Sequence, residues 1–317
     1  MVSARPLKVG LMIPSWSGAP DRQAPTWHDV NGLAQQAEAV GFDSVWIADT
    51  IVVHPDPSSS MGYWDCWSIL AALAAGTPRI ELGSLVSGGG FRNPVLLAHL
   101  VNTVDEISGG RAILGIGAGE EGQHHSLGIS PEGRYGRLEE TLTIVRALLR
   151  EGHVHHEGRF LTVDAELPLR GPRPTGPPIM LGTYPSPGPR MRALAARHAD
   201  GWNAWLAFDD CSPGKTRPAL EGLDDACRAA GRDPATLWRS VAVGVSLPGR
   251  RLTFGPWDIN DAALRGSPED IAESLRRFAA LGVSHAQVYL GHITPEDIDA
   301  FTPVLEHLGT SPLSEQG

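Results

Sequence analysis

The stretch from residue 27 to residue 49, WHDVNGLAQQAEAVGFDSVWIAD, decides the fold class. Its apolar residues recur every three or four positions up to Val40, which predicts an amphipathic helix that Gly41 stops. Ser44 to Ala48 is then a short and continuous apolar run, which is typical of a strand buried on both faces. The stretch is therefore interpreted as one helix followed by one buried strand.

The same alternation extends along most of the chain. Strands are predicted at Leu7 to Ile13, Ser44 to Ala48, Arg79 to Val86, Ala112 to Ile116, Ile179 to Leu181, Gly201 to Trp205, Ser240 to Ser246 and Ala286 to Leu290. Helices are predicted at Trp27 to Val40, Cys66 to Ala75, Pro94 to Ile107, Tyr135 to Arg150, Arg190 to His198, Arg217 to Ala230, after Ser267, and at Pro295 to Leu308. Eight strand–helix pairs favour one α/β domain over residues 1–317, a (β/α)8 TIM barrel, with a nine-layer open sheet as the alternative.

Three segments interrupt or end this alternation. Residues 151–178 follow the fourth strand and carry short β-like pieces and a proline-rich run. Residues 248–266 follow the seventh strand and are rich in Gly, Pro and Arg. Both are predicted to be insertions outside the barrel repeat, and residues 309–317 are predicted to be a frayed tail.

Composition excludes several classes of protein. The 26 Lys and Arg residues against 36 Asp and Glu residues give a net charge of −10, which argues against a nucleic-acid or anionic-membrane partner. Cys66, Cys211 and Cys227 have no spacing typical of a disulfide framework or a zinc site and are expected to be buried apolar residues. No stretch approaches the roughly 20 apolar residues of a membrane helix. We expect a cytoplasmic protein that acts on a small molecule.

In a barrel, the segments that follow the strands share one catalytic face, where we first searched for metal ligands. The first strand ends in Ile13-Pro14-Ser15-Trp16, which offers no metal ligand. The pairs His124-His125 and His155-His156 are adjacent in sequence, which is a poor chelating geometry on a helix or a strand. We therefore expect no catalytic metal.

Two glycine-rich segments on this face suggest a phosphorylated cofactor. Gly115 to Gly119 (GIGAG) follows the fourth strand, and Gly182, Thr183, Ser186 and Gly188 lie between the fifth strand and its helix. Glycine lets backbone N–H groups approach an anion, and a helix N-terminus adds favourable partial charge. Tight turns explain each cluster equally well, but two clusters on one face favour a phosphate-bearing ligand.

Acidic residues on the same face are few. Asp49 ends the second strand, and Glu120 and Glu121 follow the glycine run of the fourth. A carboxyl among apolar neighbours can act as a general acid or base. The alternatives are a helix cap or turn for Asp49 and solvated loop positions for the two glutamates. Four tryptophans are candidates for stacking on a ring system: Trp16, Trp46, Trp64 and Trp67. Of these, Trp46 is expected in the core because it lies inside a strand.

Several segments together resemble the bacterial luciferase-like flavin-dependent oxidoreductases. The similarity lies in residues 37–49, 77–86 with 92–94, 105–111, 114–119, 158–160, 199–203 and 266–271. The resemblance implies a flavin or deazaflavin at the C-terminal mouth of a barrel with large insertions. It also implies a cis peptide bond between Leu85 and Val86, at the end of the third strand, that presses against the central ring of the cofactor.

Within this family, the run from Gly83 to Pro94 looks most like the branch that uses coenzyme F420. Glu120 matches the acidic residue that such dehydrogenases place after the fourth strand. Several of them carry His after the strand-two Asp, where this chain has Thr50, and His54 lies four residues further on. The resemblance and the glycine pattern together predict the cofactor contacts Asp49, Thr50, Leu85, Val86, Gly119, Gly182, Thr183, Ser186 and Gly188.

The function expected from these observations is hydride transfer between F420 and a small organic substrate, with Glu120 as proton donor or acceptor. The first alternative is an FMN-dependent monooxygenase that uses O2 and reduced flavin supplied by a separate reductase. The second is a non-catalytic flavin-binding protein. The expected assembly is a homodimer.

Overall fold

Each barrel strand pairs in parallel with the next one, and the last strand pairs with the first. The structure is a computed structural model that describes residues 5–17, 24–291 and 293–310. Within these residues the eight strands are β1 Lys8–Met12, β2 Ser44–Ile47, β3 Glu81–Ser84, β4 Ala112–Gly117, β5 Ile179–Thr183, β6 Gly201–Trp205, β7 Trp238–Ser246 and β8 His285–Tyr289. The sheet is therefore closed, which confirms the TIM barrel and makes the open-sheet alternative wrong.

The main helices surround the barrel and are α1 Trp27–Val40, α2 Cys66–Gly76, α3 Pro94–Ser108, α4 Arg134–Glu151, α5 Pro189–His198, α6 Arg217–Ala229, α7 Pro268–Ala280 and α8 Pro295–Thr310. Side chains cap the N-termini of α1, α2, α3 and α7. Thr26 and Asp29 form a capping box at the start of α1, and Gly41 ends that helix at φ 99°. Side-chain caps of this kind stabilise a helix by about 1 kcal/mol each, so the sequence sets these boundaries locally.

Both predicted insertions lie outside the barrel repeat. The first contains an antiparallel hairpin, His153–Glu157 with Thr162–Glu166. The second contains a shorter hairpin, Thr253–Phe254 with Trp257–Asp258. The carboxylate of Glu140 on α4 accepts backbone N–H bonds at the turn of the first hairpin, from Phe160 at 3.0 Å and Leu161 at 2.8 Å.

Two further elements and one boundary differ from the sequence analysis. Residues Val52–Asp56 and Ser59–Gly62 form a hairpin between β2 and α2, and Glu121–Ser126 is a short helix after β4. Both are too short to give a periodic signal. Helix α8 continues to Thr310, past the predicted start of the tail at residue 309, and residues 311–317 lie outside the described part of the chain.

One large side chain of the barrel interior, that of Trp46, is accommodated by two glycines. Trp46 is fully buried, which confirms its expected core position. If a larger residue replaced Gly83, its Cβ atom would lie 2.3 Å from the Trp46 ring. A Cβ atom at Gly10 would lie 2.5 Å from the indole nitrogen of Trp46. That nitrogen donates to Ser44 Oγ at 2.7 Å, and Ser44 Oγ lies 2.8 Å from Nε2 of His285. Burial lowers the pKa of His285 to about 3.

A larger apolar core separates the strands from the surrounding helices. The three cysteines are buried and unpaired there, as expected. In the described residues no helix is both long enough and apolar enough to cross a membrane. Two arginines connect loops to the barrel: Arg111 donates to the carbonyl oxygens of Ala74 and Thr77, and Arg173 pairs with buried Asp105.

Candidate active site

The end of β3 carries the predicted cis peptide bond, between Leu85 and Val86. Leu85 is buried, and its N–H donates to the Ile47 carbonyl on β2 at 2.9 Å. A Cβ at Gly182 would lie 2.7 Å from Val86 Cγ1, and one at Gly117 would lie 3.0 Å from Val86 Cγ2. Glycine at both positions therefore lets Val86 lie against the ends of β4 and β5, and two predicted cofactor residues, Val86 and Gly182, meet here.

The glycine run after β4 is explained in part by packing. Gly119 has φ 75°, and a Cβ there would lie 2.7 Å from the ring of Phe91. Phe91 in turn meets His124 edge-on, with the ring centroids 5.2 Å apart. Nε2 of His124 lies 3.1 Å from the Ala118 carbonyl oxygen. His124 is thus a buried packing residue beside the cofactor segment.

Asp49 is buried and forms a bidentate ion pair with Arg92. The two guanidinium nitrogens lie 2.5 and 3.0 Å from its carboxylate oxygens, and Arg92 also contacts Asp65 at 2.9 Å. Burial opposes the charge of Arg92, but the hydrogen bonds and negative charges of Asp49 and Asp65 outweigh it and raise the pKa of Arg92. The helix-capping alternative for Asp49 is wrong, because Asp65 caps α2 through Ser68.

The two residues considered after Asp49 occupy different places. Thr50 is half-buried directly after Asp49, and the next backbone N–H, that of Ile51, donates to Gln123 at 3.1 Å. His54 is exposed in the Val52–Asp56 strand of the hairpin, and its Nδ1 lies 3.3 Å from the Ser59 carbonyl oxygen. Gln123 thus connects the Thr50 segment to the short helix that follows Glu120.

Glu120 lies exposed just after β4 and pairs with a residue that the sequence analysis missed. The hydroxyl of Tyr184 donates to Glu120 Oε1 at 2.9 Å. Partial burial and the adjacent negative charge of Glu120 raise the pKa of Tyr184 to about 12. Burial and the same carboxylate also raise the pKa of Tyr63. Tyr184 directly follows the predicted cofactor residue Thr183, which is the signal that could have found it.

The segment between β5 and α5 presents an open helix N-terminus. Thr183 Oγ1 accepts from Trp202 Nε1 at 2.9 Å, which fixes the end of β5. Ser186 and Gly188 are exposed, and Gly188 is the N-cap of α5. A Cβ at Gly188 would meet no described atom within 4 Å. Pro189, the first residue of α5, has no N–H, so the N–H groups of Arg190 and Met191 are the helix donors left for an anionic group of a ligand.

A cluster of aromatic rings, here called the aromatic wall, lies at and beyond the ends of β1, β2, β6, β7 and β8. Its members are Trp16, Tyr63, Trp205, Phe208, Phe254, Trp257 and Tyr289. Trp16 stacks on Tyr63 with centroids 5.3 Å apart and lies 5.3 Å from Phe254. The Tyr289 hydroxyl donates to the Thr253 carbonyl at 2.8 Å and so fixes the hairpin that carries Phe254.

These features fit a phosphorylated tricyclic cofactor. Val86 protrudes at the floor between β4 and β5, the N-terminus of α5 is free to receive a phosphate, and buried Ser15 Oγ after β1 has no partner among the described residues. Among the described side chains, no cluster of three or more His, Cys, Asp or Glu residues is arranged to hold a metal ion.

Comparison with known proteins places these features in a family context. The family model described as luciferase-like monooxygenase matches residues 7–248. A phthiodiolone/phenolphthiodiolone dimycocerosates ketoreductase of Mycobacterium kansasii is 32% identical over 229 residues, which are 66% of this chain and 60% of the relative. The match thus spans about three fifths of the length of that curated relative.

Two solved structures share the fold over almost their whole length. An F420-dependent secondary alcohol dehydrogenase, in complex with an F420-acetone adduct, has a TM-score of 0.79 at 19% identity, and the match covers 95% of this chain and 99% of that one. A monooxygenase from Streptomyces bottropensis has a TM-score of 0.76 at 21% identity, with 95% and 98% covered. At these identities the likeness shows the fold alone.

Proposed function

The chain belongs to the luciferase-like monooxygenase family of oxidoreductases and monooxygenases, and from this premise we propose that it binds coenzyme F420 and reduces or forms a small organic carbonyl compound. The observation that carries the proposal is the 2.9 Å hydrogen bond between Tyr184 and Glu120 at the barrel mouth. Glu120 follows Gly117 by three residues and Tyr184 follows Gly182 by two, and Val86 lies against both glycines. The acid–phenol pair therefore flanks the predicted ring position.

Each residue then has a role that its position supports. Reduced F420, when bound, supplies a hydride to a carbonyl carbon. The carbonyl oxygen must take up a proton, which we assign to Glu120, with Tyr184 holding that carboxylate in place. The accessible N–H groups at the start of α5 receive the phosphate. The Asp49–Arg92 ion pair holds the end of β2 in place, and this strand end supports one edge of the cofactor ring.

One comparison supports F420 as the cofactor, and a second supports a carbonyl substrate. One structural neighbour is described as F420-dependent and as an alcohol dehydrogenase, and one sequence relative is described as a ketoreductase. An FMN-dependent monooxygenase remains the second candidate. It is supported by the monooxygenase neighbour and by Thr50, which stands where several F420 dehydrogenases of this family carry His. A separate reductase would supply reduced flavin in that case.

The test is a pair of titrations of the purified protein freed of cofactor. Reduced F420 and reduced FMN are added separately, and binding is followed by fluorescence, with turnover of a ketone measured in parallel. Tight binding of F420 with ketone-dependent oxidation supports the proposal. Tight binding of FMN with O2 consumption supports the monooxygenase, and binding without any turnover indicates a flavin-binding protein.

We also propose that the chain forms a homodimer through the outer side of α3. Leu96, Leu100 and Ile107 are exposed along that helix although all three are apolar. Their spacing places them on one helical stripe, which a second copy would cover. Light scattering should give a mass twice that of the chain, and Leu100→Arg should reduce it to the monomer mass.

A further inference from the structure

The aromatic wall begins beside the segment that carries the proposed proton donor. The N–H of Tyr63 donates to the Ile51 carbonyl at 3.1 Å, and the N–H of Ile51 donates to Gln123, in the short helix that follows Glu120, at 3.1 Å. The Tyr63 ring stacks on Trp16 at 5.3 Å. Trp16 in turn lies 5.3 Å from Phe254 and 6.1 Å from Tyr289. A ligand whose reacting carbon is near Glu120 therefore has aromatic rings beside the rest of its body.

The wall is buried at its inner end and exposed at its outer end. Trp16 and Tyr289 are almost fully buried, whereas Phe208 is 48% exposed and Trp257 is 39% exposed. Phe208 meets Phe254 edge-on at 4.9 Å, and Trp257 stacks on Phe254 at 6.2 Å. Large rings left open to solvent at the mouth of a barrel are the usual lining of a pocket for an apolar ligand.

Charge beside the wall further restricts the ligand. A cavity of about 350 Å³ adjoins Phe208 and is also lined by Asp209, Asp210, Asp258 and Asp261, together with Ile259 and Ala262. Three basic groups pair with three of these acids: Arg251 with Asp258 at 2.5 Å, Arg265 with Asp261 at 3.1 Å and Lys215 with Asp209 at 3.9 Å. Four carboxylates against three cations leave this rim with a net negative charge, and a carboxylate or phosphate on the ligand would find no unpaired cation among these side chains.

From these observations we propose that the substrate is an uncharged ketone or secondary alcohol with an aromatic body that lies against Phe254 and Trp257. Phe254 is the specificity-determining residue, because it contacts both the buried and the exposed end of the wall. This inference rests on the proposed function for the identity of the reacting group. The wall itself is assigned from the packing and charge of the described residues alone.

The test measures ligand binding directly, by calorimetry on the whole protein. The probe is 4-phenyl-2-butanone, and its charged counterpart is 4-(3-oxobutyl)benzoate, which adds one carboxylate to the same ring. The variants are Phe254→Ala and Trp257→Ala, each checked for native circular dichroism. The control is Leu169→Ala, because Leu169 is a highly exposed apolar residue of the first insertion.

We expect the neutral ketone to bind at least tenfold more tightly than its benzoate counterpart. Phe254→Ala and Trp257→Ala should each weaken its binding about tenfold, and Leu169→Ala should leave it unchanged. Absence of binding, equal binding of the two ketones, or unaltered affinity in both wall variants would overturn the proposal. Turnover with reduced F420 is measured separately, so binding without turnover supports the wall while it refutes the proposed reaction.

Discussion

The hydroxyl of Tyr184 donates a 2.9 Å hydrogen bond to the carboxylate of Glu120 and so joins the segment after β5 to the segment after β4. Neither residue is buried: Tyr184 directly follows β5, Glu120 lies three residues past the end of β4, and Val86 packs on a glycine near each strand end. Two residues 64 positions apart in sequence are thus held at one place in the barrel mouth. In the proposed function, this pair places the carboxyl of Glu120 beside the ring of the bound cofactor.

Tyr184→Phe should lower turnover about fivefold and leave cofactor affinity nearly unchanged. The change removes one hydrogen bond to a carboxylate at an exposed position, which is worth about 1 kcal/mol. Loss of this donor destabilises the ionised form of the carboxyl, so the alkaline limb of the pH–activity profile for ketone reduction, which needs the protonated carboxyl, should move to higher pH. The profile of kcat/KM against pH is the measurement. A lower rate with an unmoved profile would assign Tyr184 a purely structural role.

Asp49→Asn should weaken cofactor binding more than the chemical step. It removes the negative charge that Arg92 contacts at 2.5 and 3.0 Å and loosens the end of β2. Because Asp49 is buried and Arg92 is partly exposed, we expect a loss of about 2 kcal/mol in unfolding free energy. Urea unfolding and a cofactor titration measure the two effects. The matched change Asp65→Asn, at an exposed partner of the same arginine, should cost less in both.

Gly182→Ala should destabilise the barrel mouth. Its Cβ would lie 2.7 Å from Val86 Cγ1, so Val86 would have to move, at a cost of about 1–3 kcal/mol. The control is Gly32→Ala in the middle of α1, where a Cβ would meet no described atom within 4 Å. That control should raise stability by about 0.5–1 kcal/mol. Equal melting temperatures of the two variants would show that the close packing of Val86 on Gly182 does not contribute to stability.

Protonation of His285 should lower the free energy of unfolding as the pH falls. Its pKa is about 3 in the fold against about 6.5 in the unfolded chain, so below pH 6.5 protons bind to the unfolded state first. The contribution of neutral His285 to the free energy of unfolding is fully present above pH 6.5. It is lost as the pH falls towards 3, by up to about 1.4 kcal/mol for each pH unit. His285→Asn removes this contribution. Unfolding curves of both proteins from pH 7 to pH 4.5 should therefore converge, and parallel curves would contradict the expectation.

Local signals predicted most of the barrel, because apolar spacing and caps act within a few residues. Helix α1 has the bounds that its apolar periodicity and Gly41 indicate, and Trp46 lies in the core as its strand position requires. The resemblance supplied the cis bond at Leu85–Val86, which no pattern of composition encodes.

The missing parts of the site depend on contacts between distant segments. Tyr184 was missed because its partner Glu120 lies on another strand end. The aromatic wall was missed because Phe254 comes from an insertion that meets Trp16, more than 200 residues earlier. The role of Asp49 was likewise set by Arg92, at a separation of 43 residues.

The most direct test of the account is the rate at which Glu120→Gln oxidises reduced F420 with a saturating ketone, compared with the unaltered protein. Glutamine keeps the size and hydrogen bonding of the side chain but cannot transfer the proton. We predict a fall in turnover of about 10²–10⁴-fold, with cofactor affinity changed by less than about tenfold, or 1.4 kcal/mol. Equal turnover of the two proteins at saturating cofactor and substrate would contradict the account and favour the FMN-dependent monooxygenase.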